Sequence, residues 1–165
     1  MTPKVLIIGY GNPLRGDDGV GWYAAQHLFN GFSDERVEVL ACQQLTPELA
    51  ERIGEAETVI FIDASIGSSP GLISCSTIEP ETARSVDLMH HIVPSVLIDC
   101  SRRLYDSNPK AFLLSVCGES FDLGEGLSRA VCSALPEVVR KVSQLASLHE
   151  LHGRRGMEVV TISTS

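Results

Sequence analysis

The sequence predicts an α/β protein: a three-layer α/β/α sandwich around a mostly parallel central sheet. Three observations carry this. Residues 4–9 (KVLIIG) and 58–64 (TVIFIDA) are short apolar, β-branched runs, the pattern of strands covered on both faces. Residues 19–29 place Val20, Tyr23, Ala24 and Leu28 on one stripe at helical spacing, the pattern of a helix packed on such a sheet. Strand-like and helix-like segments then follow one another as strand, helix, strand, helix, strand, strand, helix, strand, helix, which is how parallel sheets with crossover helices are built.

Each element has its own signal. The first strand ends at Gly9, and residues 37–41 form a second strand. Residues 47–53 read as a short helix with Thr46 as its N-cap and Pro47 at its first position. Residues 58–64 stay apolar until Asp63, which marks a central strand. Residues 72–78 are a further strand, entered from a Gly-Ser-Ser-Pro-Gly turn. Residues 91–105 read as a helix that tolerates Pro94 only in its first turn. Residues 111–116 (AFLLSV) are a strand, and residues 127–148 a long helical pattern interrupted near Pro136. Residues 154–156 read as loop, and the closing MEVVTISTS as a last strand or a loose tail.

With 165 residues and 44% hydrophobic content, the chain is expected to form one domain over 1–165, its tail loosening from about residue 150. No apolar run reaches the roughly 18–20 residues of a membrane span, and the N-terminal MTPKVLIIG lacks a signal-peptide pattern. The cytoplasm is the expected compartment. A net charge of -8 argues against nucleic acid as a partner, since phosphate binding needs a basic face. The five cysteines, Cys42, Cys75, Cys100, Cys117 and Cys132, are odd in number and contain no C-x-x-C, which excludes a disulfide scaffold and a zinc ribbon.

The loop after the first strand, GYGNPLRGDDGVG, begins like a dinucleotide-binding turn and then departs from it. Gly9 and Gly11 fit, but the third glycine position holds Leu14, and Asp17 and Asp18 would repel a phosphate. One aspartate is expected to cap the following helix, which leaves the other free. Asn12 is expected to close the loop through its side chain, and Gly9, Gly11 and Gly16 to serve positive φ or close approach.

Asp63 ends a central strand, at the sheet edge where open α/β folds bind ligands. Either it caps a turn with Ser65, or, if the first and third strands are neighbours, it shares a crevice with Asp18. Two carboxylates that close repel unless a cation or proton lies between them. His90 and His91 stand just before a predicted helix that starts at that edge. Asp, Asp and His make an O/O/N ligand set suited to zinc or nickel, whereas His149-x-x-His152 reads as surface. No G-x-S-x-G elbow and no H-E-x-x-H is present.

Together these stretches resemble the hydrogenase maturation proteases, which process the large subunit of nickel–iron hydrogenases. That family opens with a strand followed by G-x-G-N-x-L-x-x-D-[DE]-x-x-G, matched here by Gly9, Gly11, Asn12, Leu14, Asp17, Asp18 and Gly21. A strand-end Asp (Asp63), a His before a helix (His90 or His91) and a late Gly-rich turn (VCGESFDLGEGLS) follow in the family's order. The resemblance implies a phosphorylase/hydrolase-like three-layer fold and an aspartic-type, nickel-dependent endopeptidase. Its substrate would be the precursor of a nickel–iron hydrogenase large subunit, which loses a short C-terminal extension after nickel insertion. It further implies nickel, supplied by the substrate, as the cofactor, with Asp18, Asp63 and His90 as ligands and His91 as the alternative third ligand. Asp18 and Asp63 become the catalytic pair, with either the metal or a carboxylate activating water. Gly9, Gly11, Asn12 and Asp17 shape the loop. Residues 65–71 and 119–126 are expected to flank the crevice and recognise the substrate. The alternative function is a non-hydrolytic, metal-sensing or chaperone-like relative that uses the same pocket.

Overall fold

The computed structural model describes residues 5–82 and 92–155, with 149–155 as backbone alone. Its elements are β1 (Val5–Tyr10), a 3-10 turn (Gly16–Gly19), α1 (Val20–Leu28), β2 (Val37–Cys42), α2 (Leu49–Gly54), β3 (Thr58–Ser65), β4 (Ile73–Thr77), α3 (Pro94–Tyr105), β5 (Lys110–Cys117) and α4 (Arg129–Arg155). The sheet runs β2-β1-β3-β5-β4. The first four strands in that order are parallel, and β4 closes the edge antiparallel to β5.

Alternation along the strands divides the core in two. Val5 and Ile7 of β1, Ile60 and Ile62 of β3 and Leu114 and Val116 of β5 face α1 and α4. Leu6 and Ile8, Val59 and Phe61, and Ala111 face α2 and α3. On α4 the buried positions Val131, Leu135, Val138, Val142 and Ala146 recur at helical spacing. β3 is buried from Thr58 to Ile62, which explains its unbroken apolar run. β4, paired on one side, is mostly exposed.

Several boundaries differ from those expected. α4 passes through Pro136 without ending. Pro136 is exposed, so the carbonyl that loses its helical donor there turns to water instead of standing orphaned in the core. The helix also continues beyond residue 148, to Arg155. α3 starts at Pro94, its first helical residue, after Val93 in extended conformation, because Pro94 holds the preceding residue out of the helical region. α2 is preceded by turn bonds from Leu49 N–H to the Thr46 carbonyl and Ala50 N–H to the Pro47 carbonyl. The last segment, 156–165, lies outside the described residues.

The order β2-β1-β3 is what positions a site. The chain leaves β1 for β2 by α1 on one face and returns to β3, on the other side of β1, by α2 on the opposite face. A crevice therefore opens at the C-terminal ends of β1 and β3, the place where open α/β sheets take ligands.

Candidate active site

The loop after β1 is held by its own small residues. Gly11 has φ +141°, and a Cβ there would fall 1.8 Å from the Asp18 carbonyl oxygen. Gly9 and Gly21 allow α1 to lie directly on the sheet: a Cβ on Gly9 would meet the Gly21 carbonyl oxygen at 2.0 Å. Asn12 Oδ1 accepts the Leu14 N–H at 2.9 Å, a local Asx closure.

The two aspartates have separate tasks, and neither caps the helix that follows them, contrary to the capping expected of one. Asp17 is fully buried. Its Oδ2 accepts the N–H of Glu119 at 2.7 Å and of Ser120 at 3.1 Å, and its Oδ1 accepts the N–H of Ser128 at 2.7 Å. It thus ties the first loop to the segment that leads into α4. Burial works against its ionisation, but the N–H groups of Glu119, Ser128 and Ser120 outweigh that and hold its pKa below the ordinary carboxylate value. Asp18 turns the other way. Its Oδ2 accepts the Asn12 N–H at 2.9 Å, and its side chain lines the crevice.

Asp63 lies across that crevice on β3. The β1–β3 register pairs Gly9 with Ile62, so Tyr10 and Asp63 come next, on the face shared by Ile8 and Phe61. The Tyr10 hydroxyl donates to Asp63 Oδ2 at 2.7 Å, and the Ala64 N–H donates to Oδ1 at 2.6 Å. Burial raises the Asp63 pKa, Tyr10 and Ala64 lower it, and the neighbouring Asp18 charge raises it again; the net shift is upward. Burial and the Asp63 charge likewise push the Tyr10 phenol far above its usual value. The hydroxyl therefore stays protonated and keeps its proton for Asp63.

The crevice has a volume of about 830 Å³. Asp18 and Asp63 line it together with Tyr10, Asn12 and Arg15 on one side and residues 43–47 on the other, and Ile92 and Val93 complete it. Arg15 is the one cation among the described lining residues, and it has no ion pair with a described residue. The wall formed by 43–47 follows β2 and reaches the same edge because β2 is parallel to β1. Residues 65–71 and 119–126, expected to flank the crevice, are not among its described lining residues. The second segment instead buttresses the first loop from behind: Gly16 N–H donates to the Gly124 carbonyl at 3.0 Å, and Gly124 N–H to the Leu14 carbonyl at 2.8 Å.

His90 and His91 lie outside the described residues; Ile92 and Val93, which follow them, line the crevice. Among the described residues no group of three or more His, Cys, Asp or Glu is placed to hold a metal. Two donors of the expected three, Asp18 and Asp63, share the pocket, and a cation there would offset both the burial and the smaller Asp18 repulsion that raise Asp63. All five cysteines are free. Burial pushes the thiol of Cys42, at the end of β2, upward, which disfavours a thiolate there. No helix among the described residues is long and apolar enough to cross a membrane.

Tyr10 and the 43–47 wall were not found as site residues from the sequence. Tyr10 was legible in principle, since it continues the Leu6–Ile8 face to the sheet edge near which Asp63 lies.

Solved structures with the same fold include several hydrogenase maturation endopeptidases. The hydrogenase maturating endopeptidase HybD from E. coli is 22% identical over 89% of this chain and 93% of its own, with a TM-score of 0.67. A hydrogenase 2 maturation peptidase from Thaumarchaeota archaeon SCGC_AB-539-E09 is 25% identical over 88% and 99%, with a TM-score of 0.67. A [NiFe] hydrogenase maturation protease HycI from Thermococcus kodakarensis KOD1 is 22% identical over 90% and 93%, with a TM-score of 0.68. No protein-family model and no curated protein matches the chain. The α/β fold of these endopeptidases is therefore the fold of this protein.

Proposed function

We propose that this chain is an endopeptidase that removes a short C-terminal extension from the precursor of a nickel–iron hydrogenase large subunit, in the cytoplasm, after nickel has been inserted. The observation that carries the reading is the convergence of Asp18 and Asp63 in one crevice at the β1/β3 switch point, on the fold of the maturation endopeptidases.

Asp18 and Asp63 are the residues that receive the nickel borne by the precursor, with His90, or His91 in its place, as the third donor. Carboxylate and imidazole donors suit that ion. When bound, the ion supplies Lewis acidity. The chain's own contribution is threefold. The crevice wall at 43–47 orients the peptide through Gln43, Gln44 and Thr46. Asp63, made more basic by burial and by Asp18, takes the proton from the water that adds to the scissile carbonyl. As the adduct collapses and its C–N bond breaks, Asp63 returns that proton to the departing amine.

The test is intact mass of a nickel-loaded large-subunit precursor incubated with the protein, beside a nickel-free control. Loss of a short C-terminal peptide in the loaded sample alone is the expected result. Asp18→Ala, Asp63→Ala and His90→Ala each abolish it, and His91→Ala takes the place of His90→Ala if His91 is the ligand. No cleavage of any cognate precursor overturns the proposal in favour of a non-hydrolytic metal-binding relative.

A further inference from the structure

Tyr10 is a side chain of the crevice that neither the loop motif nor the carboxylate set requires. It is half-buried, lines the pocket and donates its hydroxyl to Asp63 Oδ2 at 2.7 Å. Its ring meets Phe61 edge-on, with centroids 6.4 Å apart, so the hydroxyl is held by packing beneath it as well as by the acceptor above it. A carboxylate at a strand end is free to rotate about its last bond unless both oxygens are engaged. Here the Ala64 N–H takes Oδ1 and the Tyr10 O–H takes Oδ2. Each oxygen keeps a second lone pair, and the plane of the carboxylate is fixed. Of the two donors, the Ala64 N–H comes with the backbone, whatever the side chains are. Only the Tyr10 hydroxyl depends on the residue chosen at that position.

We propose that Tyr10 is a positioning residue: through its hydroxyl it fixes the orientation of the Asp63 carboxylate, and so sets how well the Asp18–Asp63 pair binds a divalent cation and how fast the bound peptide is cut. The inference rests on the endopeptidase reading for its second half and on the geometry alone for its first. Partners of this kind alter metal affinity or activity about 10–100-fold when removed.

The test is Tyr10→Phe, which keeps the ring against Phe61 and deletes only the hydroxyl. Ni2+ alone is titrated into the protein by calorimetry, and cleavage of nickel-loaded precursor is followed separately. Expected are Ni2+ binding weakened about 10-fold or more and a kcat lowered about 10–100-fold with KM changed far less, at a Tm within a few degrees of the parent. In the Asp63→Asn background the same substitution changes Ni2+ binding less than two-fold, because Tyr10 acts through Asp63. Ni2+ affinity and kcat within two-fold of the parent in Tyr10→Phe would overturn the inference, as would an undiminished effect in the Asp63→Asn background. If the parent cleaves no precursor but binds Ni2+, the endopeptidase reading fails while the titration still decides Tyr10. A parent that does neither overturns both.

Discussion

Replacing Asp17 by Asn exchanges one carboxylate oxygen for an NH2 group inside a closed cage of donors. Three backbone N–H groups point at Asp17, two at Oδ2 and one at Oδ1, from residues more than 100 positions away. An asparagine that keeps its oxygen at the Oδ2 position retains two of these bonds in neutral form and turns its own N–H toward the Ser128 N–H. The unpaired buried donor costs about 1–3 kcal/mol, and loss of charge from the other two about 0.5–1 kcal/mol each. The expected destabilisation is about 3 kcal/mol, a large share of the roughly 5–15 kcal/mol that holds a domain together.

Urea unfolding measures this. With a slope of about 2 kcal/mol/M, the midpoint falls by about 1.5 M. The dependence on pH gives a second, independent reading. The folded pKa of Asp17 lies below the ordinary value, so its contribution is complete above the unfolded carboxylate pKa of about 3.9. It is lost as pH falls through the folded pKa. The gap between parent and Asp17→Asn is therefore widest near neutral pH and narrows below about pH 4. A destabilisation under about 1 kcal/mol, or a gap that stays constant from pH 7 to pH 3, would refute the cage as the source of stability.

Other substitutions probe other links. Gly11→Ala drives a methyl into the Asp18 carbonyl and forces a strained φ; soluble yield and cleavage both fall, and a folded, fully active variant would contradict the loop geometry. Phe61→Ala removes a fully buried ring at the centre of the α2/α3 side and lowers stability by about 3–5 kcal/mol in thermal or urea unfolding. Pro136→Ala restores a helical N–H on the exposed face of α4 and raises stability by about 1–3 kcal/mol, read as a Tm increase of several degrees. Stripping nickel from the precursor with a chelator before mixing stops cleavage, and adding nickel back restores it; unchanged cleavage would remove the metal from the reading.

How much was legible follows from how local each signal is. β1 and β3 were readable because strands buried on both faces write their burial into consecutive residues, and parallel pairing then sends Gly9 and Asp63 to one edge. Asp18 and Asp63 were readable as a pair for that reason alone. The partners of Asp17 were not, since nothing near residue 17 announces that Glu119, Ser120 and Ser128 will turn their N–H groups toward it. The pocket wall at 43–47 was missed because polar loop residues carry no periodicity, although the β1–β2 pairing obliges them to reach the same edge. Pro136 reads as a break in the sequence because the rule against proline in helices concerns carbonyls denied water, and which face meets water is decided by the tertiary packing.

The position of β5 inside the sheet governs how the chain is made. β3 carries its apolar stretch between β1 and β5, and β5 is encoded well after it. During synthesis β3 can pair with β1, while its other edge waits until Lys110–Cys117 has left the ribosome, on the order of seconds at ordinary elongation rates. Through that interval an unpaired strand edge rich in Val, Ile and Phe is open to other chains. The sheet order thus sets how long that edge waits for its partner, and slower elongation between β3 and β5 lengthens the wait in proportion.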